Sequence, residues 1–440
     1  MKKEEFVRLF NMLSINEIKL SNLSKEIGFI KRTRKIDSLD FLYSLSMESI
    51  KGIASCNDIA AAIEEGNGIS VSRQAIWKKV TETCLGYFKL VLELVILGKT
   101  NPLIGQDKIS KCRFTRVLVQ DSTLIRLPKR LFVLFSGISN KSTAVCNARI
   151  QGIYDLLSGK FISFSINPYS KNDHLSATEM EIMKDDLTLR DRGYLSINEI
   201  KRHLYFGAHF IYRHKMKMLL LDPVTKTPID ILNKLKKESQ LDIHVMLNEE
   251  DNTIIRLVAQ PVDKQTADNR RRRAKIEMKG HNPNKEFMEL QSWTIFLTTL
   301  TADQADFDTL LEIYGLRWRI ETIFKSWKSN LHFDYIHNVS NTQLQILIIA
   351  RLIMILIITQ FIYPPYNTLI YKYMKKEISI LKLTKYLNHN PTKLYTLLRD
   401  FIKYPNHMSE SMKNIARYCL YDIRLRFNIM QKMEILFTVS

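Results

Sequence analysis

The chain has 440 residues, 45% of them hydrophobic, which excludes a disordered tail and allows two or three folded domains. Lysine and arginine number 65 against 45 acidic residues, so the formal net charge is +20. A charge of this size makes a polyanion the expected partner. Biased codon usage also enriches lysine, so the charge supports nucleic acid binding without proving it.

The cysteines and the first residues of the chain bear on its compartment. Five cysteines are scattered without a CxxC pair, which argues against a structural zinc site and against a disulfide framework. The opening MKKEEFVRLFNML carries acidic side chains and lacks the uninterrupted apolar core of a signal peptide. We therefore expect a protein of the reducing cytoplasm.

Residues 1–100 show helix signals and few strand signals, so we predict an all-helical N-terminal region. Within Ser55–Glu82, a helix near Asp58–Glu65, a glycine turn and a second helix capped by Ser72 outline a helix-turn-helix. Any two short helices joined by glycine share this outline, so an ordinary helical hairpin is the alternative. The side chains predicted to face DNA are Arg73, Gln74, Lys78 and Lys79.

Strand signals begin near residue 113. The runs FTRVLVQDS and ARIQGIYDLLSGKFISFSIN contain apolar and β-branched residues, and the second includes a Ser158-Gly159 turn. A mainly helical segment is predicted at Leu175–Asp186, followed by the short runs LTLRDRGY and AHFIYRHKM. This order resembles the start of a ribonuclease-H-like domain, an α/β fold with carboxylates at strand ends.

Residues 215–300 alternate strand-like pieces with one basic stretch. The strand-like pieces are HVMLN, TIIRLVAQPV and WTIFLTTL, and the basic stretch is NRRRRAKIEMKGHNPNK. A run of cations is commonly a solvated helix or loop. In a nucleic-acid-binding protein it supplies phosphate-binding charge, here with Arg271 and Arg272.

Helix signals dominate from Phe307 onward, and they include a very apolar segment, Leu344–Tyr363. Its length would suit a membrane span. Arg351 lies near its middle, however, where insertion would cost about 2.5 to 3.5 kcal/mol. We therefore predict a buried core helix and no membrane partner.

The segment YGLRWRIETIFKSWK carries the most chemical information. On one continuous helix its Tyr314, Arg317, Glu321 and Lys328 would lie within about 60° of one face. Such a face suits a phosphodiester, because the carboxylate can bind a metal while the cations hold flanking phosphates. The alternative is an amphipathic surface helix with ordinary intrahelical ion pairs.

The spacing Tyr-x2-Arg-x3-Glu-x6-Lys resembles the YREK signature of the DDE transposases of bacterial insertion sequences. Two further motifs of that family follow the expected order. VLVQDST resembles the strand-end motif of the first aspartate, Asp121, and LRDRGYLS resembles the second, Asp191. The resemblance therefore implies the catalytic and metal-binding triad Asp121, Asp191 and Glu321.

The resemblance also implies an architecture, since 130 residues separate Asp191 from Glu321. We expect a ribonuclease-H-like core interrupted by a β-rich insertion, between a helical DNA-binding region and a helical C-terminal region. The expected parts are 1–100 for DNA binding, 113–214 and 301–363 for the core, 215–300 for the insertion, and 364–440 as a candidate for dimerisation.

Roles for individual side chains follow from the same resemblance. Trp293 matches the insertion tryptophan that stacks on a base flipped from the transposon end, and an ordinary core aromatic is its alternative. Arg213 and Lys215 occupy a region where the family has basic residues near DNA. Tyr314, Arg317 and Lys328 would hold terminal phosphates.

The implied reaction uses two Mg²⁺ ions, for which Mn²⁺ substitutes, and runs from nicking through a hairpin to strand transfer. The implied partners are double-stranded DNA, as terminal inverted repeats and target, and a second copy of the chain in a DNA-bound homodimer. The implied location is the nucleoid of a bacterial cytoplasm. The alternatives are a repressor derived from a transposase and a nuclease on the same core.

Overall fold

The computed structural model describes residues 3–32, 35–52, 54–98, 111–137, 145–216, 218–247, 252–278, 283–404, 407, 409–422 and 429–438. Its mixed α/β chain divides into two compact units. The first comprises Met1–Cys112, Ser122–Lys171 and Arg319–Ser440, and the second comprises Arg113–Asp121 and Asn172–Trp318.

The elements alternate most strongly in the middle of the chain. The N-terminal helices are α1 (Lys3–Met12), α2 (Glu17–Glu26), α3 (Ser38–Ser49), α4 (Cys56–Asn67), α5 (Arg73–Trp77) and α6 (Glu82–Leu97). The central elements are β1 (Arg116–Arg126), β2 (Asn147–Asp155), β3 (Lys160–Pro168), α7 (Asp173–Ser176), β4 (Asp186–Arg190), α8 (Ile197–Phe206), β5 (His209–Arg213), α9 (Ile231–Glu238), β6 (Leu241–Met246), β7 (Ile254–Pro261), α10 (Lys264–Glu277), α11 (Lys285–Leu290) and β8 (Trp293–Thr298).

The remaining elements are helical. They are α12 (Phe307–Gly315), α13 (Trp318–Leu331), α14 (Asn341–Leu356), a π-helical segment (Ile357–Ile362), α15 (Tyr363–Met374), α16 (Ile380–His389), α17 (Lys393–Lys403), α18 (Glu410–Tyr418) and α19 (Ile429–Phe437).

Helix α4 begins and ends as its sequence predicts. The Ser55 side chain and that of Asp58 cap it reciprocally, and Gly68 ends it with a left-handed φ of 73°. Ser72 caps the next helix, as predicted, but that helix ends at Trp77. Thr81 then opens α6 by accepting a hydrogen bond from the Cys84 amide. The predicted second helix is therefore only five residues long, and a separate helix begins after Thr81.

The first unit contains the longest apolar helix. Asn341–Met374 is long and apolar enough to cross a membrane, yet its most apolar window is wholly buried in the protein. Arg351 is fully buried and donates to the carbonyls of Ser49, at 2.7 Å, and Gly52, at the end of α3. A cation satisfies the unpaired carbonyls of a helix end. The predicted burial of this helix is confirmed, and Arg351 joins it to α3.

The second unit contains a mixed sheet with the strand order β1-β4-β5-β8-β7-β6. Strands β1, β4 and β5 run parallel, and β8, β7 and β6 follow in antiparallel pairs. Every residue of β4 is buried, as expected of a parallel strand covered on both faces. The parallel part of this sheet positions both aspartates of the motifs.

The segment 215–300 differs from the β-rich insertion that the sequence predicts. Three helices, α9, α10 and α11, accompany its three strands. Strand β8 pairs with both β5 and β7, so the segment extends the sheet of the second unit. The strand-like pieces predicted the strands correctly, but the pairing of β8 with β5 depends on contacts distant in sequence.

The predicted helix at Leu175–Asp186 is mostly absent. Helix α7 ends at Ser176, and after one 3-10 turn Met180 is extended with φ −80° and ψ 120°. The Met183 amide donates to the Asp186 carboxylate at 2.7 Å, and Asp185 has a left-handed φ of 60°. Tertiary contacts therefore override the helical pattern, since they draw the chain into β4.

Candidate active site

Two carboxylates lie where the pairing of β1 with β4 ends. The last paired residues are Gln120 and Arg190, and Asp121 and Asp191 directly follow them. Asp121 keeps 19% of its side chain exposed, and Asp191 is exposed with extended backbone angles. Because parallel strands place equivalent positions side by side, these carboxylates share one edge of the sheet.

The opposite end of the same strand pair is closed by an ion pair. Arg116 donates to both oxygens of Asp186, at 2.9 and 2.6 Å, and Asp186 is fully buried. This bidentate geometry satisfies the carboxylate and fixes the register of the two strands. Asp186, which lies close to Asp191 in sequence, therefore has a structural role at the other end of β4.

Arg190 holds the backbone immediately before Asp191. Its buried guanidinium pairs with Glu199 of α8 at 2.9 Å and donates to the Ala177 carbonyl at 3.2 Å. Arg202 approaches the second oxygen of Glu199 at 3.1 Å. The sequence motifs do not predict this network. The one signal for it in the sequence is an arginine that ends an otherwise apolar strand, since a buried cation needs a partner.

Tyr314 contacts the same backbone from α12. Its hydroxyl donates to the Arg190 carbonyl at 3.4 Å, and its ring centroid lies 5.4 Å from that of Phe296 on β8. Burial raises the pKa of Tyr314 to about 12, while the nearby Arg317 opposes that rise. Tyr314 is therefore a protonated hydrogen-bond donor at physiological pH.

Two arginines bring positive charge to this edge. Arg317 is buried, and its guanidinium nitrogen lies 3.9 Å from the Asp121 carboxylate. Arg213, at the end of β5, has its guanidinium carbon 6.0 Å from the Phe296 ring centroid, and burial lowers its pKa. Arginine remains charged in such a setting and suits planar oxyanions. Lys215, two residues after Arg213, is exposed.

The YREK residues do not lie on one continuous helix, which corrects the prediction. Helix α12 ends at Gly315, and α13 begins at Trp318. The Leu316 and Arg317 amides bond three residues back, to Ile313 and Tyr314, as in a tight turn. Tyr314 is therefore the next-to-last residue of α12, and Arg317 lies within the two-residue break.

Glu321 and Lys328 both lie on α13, seven residues apart, and share its face. Glu321 is half-buried. The Lys328 ammonium donates to the Leu124 carbonyl of β1 at 2.7 Å, and burial lowers its pKa. Trp327 is fully buried and packs against Phe161 of β3 with a centroid distance of 5.1 Å. This contact fixes α13 against the antiparallel pair of β2 and β3.

Trp293 has features of both interpretations drawn from the sequence, a base-stacking tryptophan and an ordinary core aromatic. It begins β8, its indole N–H donates to the Ser239 carbonyl at 3.0 Å, and its ring packs against the buried cluster of the second unit. It also lines a small pocket with Arg192 and Arg213. The tryptophan is therefore anchored in the fold and adjoins the basic edge.

The basic stretch forms helix α10, and its arginines differ in role. Arg271 donates to the Met288 carbonyl at 3.1 Å, to Asp268 at 2.9 Å and to the Ser292 hydroxyl at 2.5 Å. It therefore fastens α10 to the segment before β8, whereas Arg272 is exposed. Residues 279–282 of the stretch lie outside the described residues. In the first unit, Arg73 and Gln74 are exposed on α5.

The carboxylates at this edge of the sheet are chemically suitable ligands for a divalent cation. Carboxylate oxygens are the ligands that Mg²⁺ prefers, and Asp121 and Asp191 supply them. Among the residues that the structure describes, no group of three or more His, Cys, Asp and Glu side chains is arranged to hold a metal ion. The two aspartates are therefore a pair to which another ligand must be added.

Comparison with protein families agrees with the motifs. A family model described as "Transposase DDE domain" matches residues 113–357, more than half of the chain. The chain belongs to this family. The resemblance to bacterial insertion-sequence transposases that the motifs predicted is confirmed.

Curated relatives of this family member align over most of its length. The transposase for insertion sequence element IS231B of Bacillus thuringiensis subsp. berliner is 24% identical over 86% of this chain and 84% of that protein. The IS231F transposase of Bacillus thuringiensis subsp. israelensis is 25% identical over 87% and 84%. The IS1151 transposase of Clostridium perfringens is 25% identical over 84% and 82%.

One solved structure is more distant. A cryo-EM structure of a piggyBac transposase synaptic complex with hairpin DNA matches with a TM-score of 0.44 at 12% identity. The match covers 96% of this chain and 87% of that chain. A TM-score at this level does not establish a shared fold.

Proposed function

We propose that this DDE-family protein is the transposase of a bacterial insertion sequence and cleaves and joins DNA at the ends of its element. The placement of Asp121 and Asp191 side by side, where the pairing of β1 with β4 ends, carries the proposal. Arg317 and Tyr314 adjoin that edge, so carboxylates, a guanidinium and a phenol meet there. The names of the aligned relatives support the same function.

The proposed ligands for two Mg²⁺ ions are the carboxylates of Asp121, Asp191 and Glu321, the last supplied by α13. The carboxylate chemistry would also accept Mn²⁺. When bound, such ions activate a water nucleophile and stabilise the leaving oxygen of an in-line displacement. The parallel strands support this role, because a ribonuclease-H-like core carries its acids at strand ends.

The protein's own cations hold the DNA in this proposal. Arg317 and Arg213 bind phosphates at the sheet edge, and Lys328 binds one beside α13. Tyr314 keeps its proton because its pKa is about 12, and it donates that proton to the Arg190 carbonyl, which holds the backbone before Asp191 in place. Tyr314 would bind a phosphate by turning this single O–H from the carbonyl to a phosphate oxygen.

The finer steps follow the family pattern. We propose that the freed 3′ end attacks the opposite strand to form a hairpin, and that Trp293 stacks on a displaced base. The pocket that Trp293 shares with Arg192 and Arg213 supports this role. The substrates are the element's inverted repeats and target DNA, and a DNA-bound homodimer in the bacterial nucleoid is part of the same proposal.

Cleavage of end DNA by neutral variants tests the function. Asp121→Asn, Asp191→Asn and Glu321→Gln should each reduce Mg²⁺-dependent nicking by at least about 10³-fold, about 4 kcal/mol of transition-state stabilisation. Their melting temperatures and DNA binding should stay near those of the parent. Asp185→Asn is the matched control, because Asp185 is exposed and asparagine tolerates its left-handed φ.

Two outcomes would contradict the proposal. Nicking at the parent rate by any one of the three variants would remove that residue from the site. Nicking by the parent protein without any joined product, in a reaction supplied with target DNA, would indicate a nuclease in place of a transposase.

A further inference from the structure

A large groove lies in the N-terminal part of the first unit, outside the proposed catalytic residues. Its volume is about 990 Å³. One wall is formed by residues 28–32, 35 and 36, the other by α5 with the residues on either side of it, and the start of α6 closes one end. The groove is therefore assembled from connections between the N-terminal helices.

The charge of the lining has one sign. Five cationic side chains line the groove, and no carboxylate is among its lining residues in the described part of the chain. Like charges that line one groove repel one another, so an anionic occupant would stabilise it. The cations are Lys31, Arg32, Lys35, Lys78 and Lys79.

The floor of the groove is formed by packed aromatic side chains. Phe29 is buried, and its ring stacks on Tyr87 of α6 with a centroid distance of 5.3 Å. Lys79 extends over the same Phe29 ring, with its ammonium 5.8 Å from the centroid. The Thr81 and Thr83 hydroxyls, 2.9 Å apart, lie at the positive end of the sixteen-residue α6.

Helix α5 presents different residues to the groove and away from it. Ala75 lines the groove, as do Lys78 and Lys79 just after the helix, whereas Arg73 and Gln74 do not. Trp77 is also outside the lining and is 67% exposed. A side with arginine, glutamine and tryptophan suits base edges, and a side with lysines suits phosphates.

We propose that this groove binds the sugar-phosphate backbone of duplex DNA and so orients the outer face of α5 toward the bases. The proposal rests on the proposed function, which makes DNA the polyanion. A volume of about 990 Å³ far exceeds one phosphate ion. Lysines, as flexible point charges, fit successive backbone phosphates better than they fit one fixed oxyanion.

The test compares two double variants that lose the same charge. Lys31→Ala/Lys35→Ala removes two exposed cations of the groove, and Lys19→Ala/Lys25→Ala removes two exposed cations of α2 outside it. Binding of full-length protein to a duplex is measured over about 50 to 200 mM salt, without divalent ions.

We expect the groove variant to lower the log–log salt slope by about 2 and to weaken binding about tenfold, because each phosphate contact contributes about 0.9 to the slope. The loss should be equal for inverted-repeat DNA and unrelated DNA of the same length. The control should keep most of the parent slope, and Lys31→Arg/Lys35→Arg should restore it.

Equal slopes for the two alanine variants would overturn the proposal, and so would a loss confined to inverted-repeat DNA, since that would mean base reading. If the parent protein and the groove variant both bind DNA with the same steep salt slope, the groove proposal is wrong but the proposed function stands. Parent protein that binds no duplex at any salt concentration contradicts the proposed function itself.

Discussion

The two ends of the β1–β4 pair each carry an aspartate beside an arginine, but the two pairs differ in geometry. At one end Asp186 is fully buried and bidentate with Arg116, with contacts of 2.9 and 2.6 Å. At the other end Arg317 stays 3.9 Å from Asp121, whose side chain is partly exposed. Asp191, the neighbour of Asp121 in the sheet, is exposed.

The difference separates a structural carboxylate from one suited to a ligand. The oxygens of Asp186 are saturated by a guanidinium, so that end fixes strand register. The other end leaves Asp121 partly exposed and Asp191 exposed, and it places positive charge where a phosphate would approach. Within one pair of strands, burial and distance thus distinguish residues that composition and sequence proximity do not.

The largest loss of stability should follow from disruption of the ion pair between Arg116 and Asp186. Asp186→Asn leaves the Arg116 guanidinium without its carboxylate partner and should cost about 3 kcal/mol of unfolding free energy. Asp121→Asn should cost less than about 1 kcal/mol, because its ion pair is long and partly solvated. Chemical denaturation of both variants measures the contrast. Equal losses would remove the distinction between the two ends.

Trp293→Ala should have the second-largest effect on stability, because Trp293 is held in the fold at the start of β8. Loss of its packing and of its bond to the Ser239 carbonyl should cost about 2 to 3 kcal/mol. Trp293→Phe, which keeps an aromatic ring, should cost about 1 kcal/mol. If the stacking proposal holds, folded Trp293→Ala protein nicks normally but accumulates little hairpin. A parallel decline of both steps would identify Trp293 as a core residue only.

Tyr314→Phe should have a smaller effect on stability, about 1 kcal/mol, because one hydrogen bond to the Arg190 carbonyl is lost. Nicking should decline more than stability does, since the proposed function has this single O–H turn to a phosphate oxygen when DNA is bound. The pKa of Tyr314, about 12, predicts that its ionisation does not affect the parent rate between pH 7 and 9. Parent and variant pH profiles of the same shape would support this.

The last expected effect, which appears only at acidic pH, is a loss of stability in the second unit. Burial lowers the pKa of His203 to about 3 and that of His214 to about 4. Neutral His203 lies between the Thr188 hydroxyl, at 2.8 Å, and the Glu199 carbonyl, at 2.6 Å. The unfolded state binds protons first, so stability is complete above pH 6.5 and declines as the pH falls toward 3 to 4.

Melting temperatures measured from pH 7.5 to 4.5 check this sensitivity. His203→Gln should flatten the profile, whereas His174→Gln, at an exposed position, should leave the parent profile unchanged. A parent profile that is flat down to pH 4.5 would mean that these histidines do not stay neutral in the fold.

The sequence by itself determined the family, the order of the strands and the catalytic candidates. The motifs around Asp121, Asp191 and Glu321 are local strings, and the strands β1, β4 and β5 follow from apolar runs. The caps at Ser55 and Ser72 are also local, since each needs only a side chain and an amide three residues away. Local chemistry of this kind can be read without the fold.

Only the tertiary structure decided which of these features act together. In the folded protein the predicted YREK helix is interrupted between Gly315 and Trp318, and β8 pairs with β5. Asp186 forms an ion pair with Arg116. The fold also gathers lysines from separate connections around one groove. Each of these outcomes depends on contacts between residues far apart in sequence, whose energies outweigh the local preferences of the segments involved.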